Sequence, residues 1–80
     1  MKANILIAED DDTQRRILHD ILKASRYDVK ATASAKEAMT ALREDTYSVL
    51  LTDMRMPEVD GLELLRQAKR LRPELEVVVM

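Results

Sequence analysis

What most constrains this chain is an alternation. Short, continuously apolar runs are each followed by a longer segment with helical periodicity. Asn4-Ile5-Leu6-Ile7-Ala8 ends abruptly in Glu9-Asp10-Asp11-Asp12, as a strand buried on both faces does. Ile17, Leu18, Ile21 and Leu22 then recur at helical spacing with Asp11 or Asp12 placed as N-cap, which predicts an amphipathic helix of about three turns. Tyr27-Asp28-Val29-Lys30-Ala31 reads as a weaker strand, and Ser34 with Glu37 forms a capping box for a helix carrying Ala38, Met39 and Leu42. Ser48-Val49-Leu50-Leu51-Thr52 is a third strand, again ending in an acid, Asp53. Met54 to Gly61 read as a loop, because Pro57 interrupts the pattern and Asp60-Gly61 is turn chemistry. Leu62, Leu65, Ala68 and Leu71, with Leu64 beside them, define a third helix that stops before Pro73, and Glu76-Val77-Val78-Val79-Met80 is a fourth strand. The order βαβαβαβ predicts an α/β, doubly wound parallel sheet with right-handed crossovers. Ending such a fold on an apolar strand leaves that strand poorly covered. Residues 1–80 are therefore expected to be one domain that is incomplete at its C-terminus, with pairing of exposed edges or exchange of elements as a route to a homodimer.

Composition narrows the function. Eighty residues support one core. Thirteen basic against fifteen acidic side chains, with no Phe or Trp, disfavour direct nucleic-acid binding by charge or by base stacking. The absence of Cys excludes disulfides and thiolate chemistry, and a single Gly excludes glycine-rich phosphate loops. No apolar window is long enough for a membrane span, so the expectation is a soluble, cytoplasmic chain. His19, the only imidazole, falls on the polar side of its helix, and Arg66, Lys69, Arg70 and Arg72 read as the solvated outer face of the third.

The acids remain. In an open parallel sheet, ligands bind beyond the carboxyl ends of the strands, where the strand order reverses. If the first and third strands are neighbours and the second lies outside the first, Glu9, Asp10 and Asp53 converge on one crevice. Three carboxylates that close repel one another, and one keeps its proton unless a cation is present. Carboxylates without His or Cys suit a hard cation, and Mg²⁺ is typically held by one or two of them with waters and a phosphate oxygen. A remaining carboxylate can attack phosphorus to give an aspartyl phosphate. Two competing motifs fail. Glu9 stands where a D-x-D-x-T phosphatase loop needs its nucleophile, and an EF-hand loop built on Gly61 would put Met56 and Gln67 at ligand positions.

Ile5-Leu6-Ile7-Ala8-Glu9-Asp10-Asp11, followed by the D-x-x-M-P-x-x-D-G pattern at Asp53, Met56, Pro57, Asp60 and Gly61, resembles the receiver (phosphoacceptor) domain of two-component response regulators. The resemblance covers the whole chain. Met-Arg-Met-Pro in the loop and Val-Val-Val-Met at the fourth strand are most similar to receivers of nitrogen-regulatory-type transcriptional regulators. The resemblance implies a flavodoxin-like (βα)₅ fold, here reaching the fourth strand with sheet order 2-1-3-4. It implies that Asp53 is both the phosphoacceptor and a member of the Mg²⁺ site, and that Asp10 ligates Mg²⁺ directly. Glu9 would act mostly through water, and the backbone carbonyl of Arg55 would be a further ligand. Pro57 and Gly61 would shape the loop carrying that carbonyl. The implied partners are a sensor histidine kinase, docking mainly along the first helix, and an output domain such as a DNA-binding one. The domain would act as a switch that transfers phosphoryl groups only onto itself, not as a turnover enzyme. Its alternatives are a pseudo-receiver that works unphosphorylated, which would not need three repelling acids, and an aspartate-nucleophile phosphatase, which would need a second acid to activate water. Arg26 occupies a helix exit where glycine is common, at a cost of ~1 kcal/mol if a left-handed conformation is required.

Overall fold

The computed structural model describes residues 3–54, 56 and 59–80. Strands β1 (Asn4–Ala8), β2 (Asp28–Thr32), β3 (Val49–Thr52) and β4 (Glu76–Val79) alternate with helices α1 (Asp12–Ala24), α2 (Ala35–Glu44) and α3 (Gly61–Leu71). Each predicted strand is present with its ends within one residue of the apolar run. All neighbours pair in parallel in the order β2-β1-β3-β4, because each helix serves as the crossover that parallel strands require. This is the flavodoxin-like order expected from the sequence.

Short polar side chains set the helix starts. Asp11, Ser34 and Asp60 each accept the backbone N–H three residues on, at 2.9, 3.1 and 2.9 Å. The reciprocal arm of the Ser34 box is shifted by one residue, since Glu37 reaches the N–H of Ala33 at 3.4 Å. Asp60-Gly61 is not a turn. Asp60 caps α3, Gly61 is its first residue, and no glycine has a positive φ. At the exit of α1, Arg26 does adopt the left-handed conformation, at φ 69°. Its N–H donates to Lys23 O at 3.0 Å and that of Tyr27 to Leu22 O at 3.2 Å, so the paired end bonds offset the missing glycine.

One core lies between the sheet and the pair α2–α3. Leu6, Ala8 and Leu50 meet Ala38, Met39, Leu42, Leu64 and Ala68 there, with Leu75 closing one end. The buried line of α3 is Gly61, Leu64 and Ala68. Leu62 and Leu71, on the apolar spacing that defines the helix in the sequence, are 49% and 36% exposed, because helical spacing fixes which residues share a face but not which face meets the sheet. The basic cluster is also more committed than expected. Lys69 Nζ donates to the carbonyls of Pro73 and Leu75 at 2.9 and 2.7 Å, and Arg72 Nε to Leu42 O at 3.2 Å. These cations tie off helix ends and the α3–β4 turn, leaving Arg66 paired with Glu63 at the surface.

Candidate functional site

Because β1 and β3 are adjacent, their exits are adjacent too. The ladder continues one residue past each strand: Glu9 N–H donates to Thr32 O at 3.0 Å and Asp53 N–H to Ala8 O at 3.2 Å. The two acids are thereby fixed by the sheet, not by a loose loop. Carboxylate oxygens of Glu9, Asp10 and Asp53 lie within 4.8 Å of one another. The expected convergence is present.

The three differ in surroundings. Asp10 is exposed, Asp53 half-buried, and Glu9 only 1% exposed. Glu9 Oε2 accepts the Asp11 N–H at 3.1 Å. Burial pushes the Glu9 carboxyl above its ordinary range, the Asp11 N–H opposes this, and the Asp53 and Asp10 carboxyls add to the rise. At this spacing two ionised carboxylates repel by roughly 3.5 kcal/mol at an effective dielectric near 20. Net attraction therefore requires a proton or a cation. The donor set is all oxygen, the chemistry that Mg²⁺ takes and that thiolate- or imidazole-seeking metals do not.

Gly61 belongs to the site by contact. A Cβ built on it would stand 2.3 Å from the Asp53 carbonyl oxygen and 3.0 Å from Met54 Cα, while its N–H donates to Met54 O at 2.8 Å. Glycine is required here for close approach of α3 to the Asp53 backbone. Met56 is buried in the core and anchors the segment after Asp53. Arg55, expected to offer its carbonyl to the metal, and Pro57 lie outside the described residues.

Glu9 and Asp53 open into a crevice of about 370 Å³ lined also by Asp11, Thr13 and Gln14. Gln14 carries no sequence signal of its own and Thr13 only that of the rejected D-x-D-x-T loop, although the Asp11 cap places the first turn of α1 against the acids and points to both. A larger groove, about 470 Å³, lies between α2 and α3 and is lined by Lys36, Met39, Arg43, Val59 and Gln67. Its lining includes, among the described residues, no carboxylate, imidazole or thiol. Among the described residues, no helix is long and apolar enough to cross a membrane.

Residues 5–80 match the family described as the response regulator receiver domain. The chain is similar to the response regulator receiver protein CpdR of Brucella abortus, with 42% identity over 92% of this chain and 62% of that protein. It is also similar to the transcriptional regulatory protein ZraR of Escherichia coli, with 34% identity over 96% of this chain and 18% of that protein. The chain thus spans less than two thirds of these relatives. A response regulator receiver domain protein from Clostridium thermocellum has the same fold at a TM-score of 0.92, with 28% identity over 96% of this chain and 63% of the other.

Proposed function

Since the chain belongs to the response regulator receiver domain family, we propose that it works as a phosphorylation-dependent switch in which Asp53 accepts a phosphoryl group from a sensor histidine kinase. The observation that carries this reading is the meeting of Glu9, Asp10 and Asp53 at the shared exit of β1 and β3. Asp53 is held by its backbone on both sides, through its N–H on Ala8 and through the tight approach of Gly61 to its carbonyl. Its carboxylate attacks phosphorus in line with the kinase imidazole. The P–O bond to Asp53 forms as the P–N bond breaks, and the departing imidazole nitrogen keeps the electron pair and takes a proton from solvent.

Glu9, Asp10 and Asp53 are the residues that would hold Mg²⁺, which supplies positive charge against the phosphoryl oxygens when bound. Burial and the neighbouring carboxylates raise the Glu9 pKa, so a proton and a cation would compete at the site, and cation affinity should weaken as the pH falls. The chain acts on itself and is not a turnover enzyme. Its output is read as transcriptional, supported by the name of ZraR.

The test is chemical. The chain in its full-length protein is treated with acetyl phosphate and Mg²⁺, and the product is trapped by borohydride reduction. Modification should fall on Asp53 and vanish in Asp53→Asn. Labelling at Asp11, Asp12 or Asp60, or no labelling at all, would overturn the assignment.

A further inference from the structure

We propose that Arg15 is a positioning residue for the acidic site, aiming Asp10 by clamping the peptide unit that joins it to Glu9. The proposal rests on the reading that Glu9, Asp10 and Asp53 hold a divalent cation. Arg15 lies one turn into α1, and its guanidinium turns back toward the end of β1. Nη1 donates to the Glu9 carbonyl oxygen at 3.0 Å, and Nη2 pairs with Asp12 Oδ1 at 2.5 Å. The Arg15 side chain is 23% exposed, whereas that of Asp12 is 89% exposed. An exposed ion pair is worth little. What draws the guanidinium inward is the partly buried carbonyl.

That carbonyl belongs to the Glu9–Asp10 peptide, so its direction fixes the plane from which the Asp10 side chain departs. The segment is held at three other points. Glu9 N–H is bonded to Thr32 O at 3.0 Å, Asp11 N–H to the Glu9 carboxylate at 3.1 Å, and Arg15 N–H to Asp11 O at 2.9 Å. None of these touches the Glu9–Asp10 carbonyl. Among the described residues, no backbone N–H or basic side chain donates to the Asp10 carboxylate, whose close side-chain neighbours are the Glu9 and Asp53 carboxyls. Arg15 is thus the side chain that sets the orientation of the one exposed acid of the trio.

Positioning and simple electrostatics predict opposite signs. Arg15 is a cation beside a cation site, so on charge alone its removal would tighten binding of a second cation. If it positions Asp10, removal weakens binding, and lost outer-sphere support typically costs about tenfold in metal affinity.

The full chain is titrated with Mn²⁺, free ion being read by electron paramagnetic resonance, and cation-free amide shifts of Asp10 and Asp11 are recorded by NMR. Arg15→Met should bind about tenfold more weakly and shift both amides. Arg15→Lys, which keeps one donor for the carbonyl, should recover most of the affinity. Arg15→Gln, neutral and shorter, repeats the comparison if Arg15→Met folds poorly. Equal or tighter binding by the neutral variants would overturn the proposal while leaving the cation reading intact. Equal weakening in the Met and Lys variants, together with a lower melting temperature in both, would reduce Arg15 to a packing role and also overturn it. Failure of the wild-type chain to bind Mn²⁺ would remove the cation reading, and this proposal with it.

Discussion

The two faces of the sheet are built from equally apolar strands, yet they are buried to different depths. On the face under α2 and α3, Leu6, Ala8 and Leu50 have no exposed surface. On the other, Ile5 and Ile7 are buried beneath α1, but their partners Val49 and Leu51 on β3 are only half-buried, and Val78 on β4 is 48% exposed. The reason is dimensional. Four strands ~4.8 Å apart form a surface wider than the ~10 Å that one helix covers. Two helices suffice for one face. On the other, α1 packs against β1 and β2, and its own second apolar line, Ile17 and Ile21, remains 47% and 58% exposed. Burial here follows the supply of helices, not the apolarity of the strands.

Leu50→Ala tests the covered face hardest. It removes a fully buried side chain packed between sheet and helices, and should cost about 3 kcal/mol in chemical denaturation, since the neighbours cannot collapse fully into the space. Val78→Ala, on the open face, should cost under about 0.5 kcal/mol. Similar losses at both positions would mean that the open face is packed in solution.

Gly61→Ala comes next, at the point where the covered face meets the acids. The new methyl would have to displace the Asp53 backbone or the start of α3, an overpacking cost of about 2 kcal/mol. Labelling of Asp53 by acetyl phosphate should fall more steeply than stability does, because its carbonyl is the atom displaced. A variant as stable and as readily labelled as the wild type would show that α3 can retreat freely.

Glu9→Gln is smaller and has the opposite sign. Burial raises the Glu9 pKa above its ordinary 4.5, so the folded chain holds that proton more tightly than the unfolded one. The stabilisation from this group is complete below pH 4.5 and is lost as the pH rises through the raised folded value. Glutamine keeps an oxygen for the Asp11 N–H and carries no charge. Without a cation at pH 7 it should therefore be more stable by about 1 kcal/mol, with a flatter stability profile above pH 4.5. Adding Mg²⁺ should stabilise the wild type more than the variant, which keeps only Asp10 and Asp53 for the ion. Thermal melts with and without Mg²⁺, across this pH range, read both effects.

The strands were legible because each apolar run stops at an acid, a turn or a change of period, and the acids at Glu9, Asp10 and Asp53 were legible for the same reason. The phase of the helices was not. Leu62 and Leu64 satisfy similar spacings, and only the approach of α3 to the Asp53 backbone, which demands glycine at position 61, decides that Leu64 faces inward. Long cations were the least legible. Whether Lys69, Arg72 or Arg15 ends on a carboxylate, in water or on a carbonyl depends on which chain end the tertiary fold brings within reach, and each here finds a carbonyl. The Arg26 exit from α1 was readable because its cost is local: a left-handed residue without glycine.

Ile21→Gln is the finest probe of the difference between the faces. In sequence, Ile21 has the same standing as Leu22, since both sit on the apolar stripe of a strongly amphipathic helix. In the fold they part: Leu22 is half-buried and its carbonyl receives the Tyr27 N–H, whereas Ile21 is the most exposed large apolar residue described. Glutamine has nearly the helix propensity of the best formers and loses little rotamer freedom at an exposed site. The substitution should therefore change unfolding free energy by less than about 0.5 kcal/mol, while Leu22→Gln, which drives an amide against β1 and β2, should cost about 2 kcal/mol or more. Denaturation of both variants in parallel is sufficient. If Ile21→Gln proves as costly as Leu22→Gln, a packed partner covers the outer line of α1, and the open face is open only in the absence of that partner.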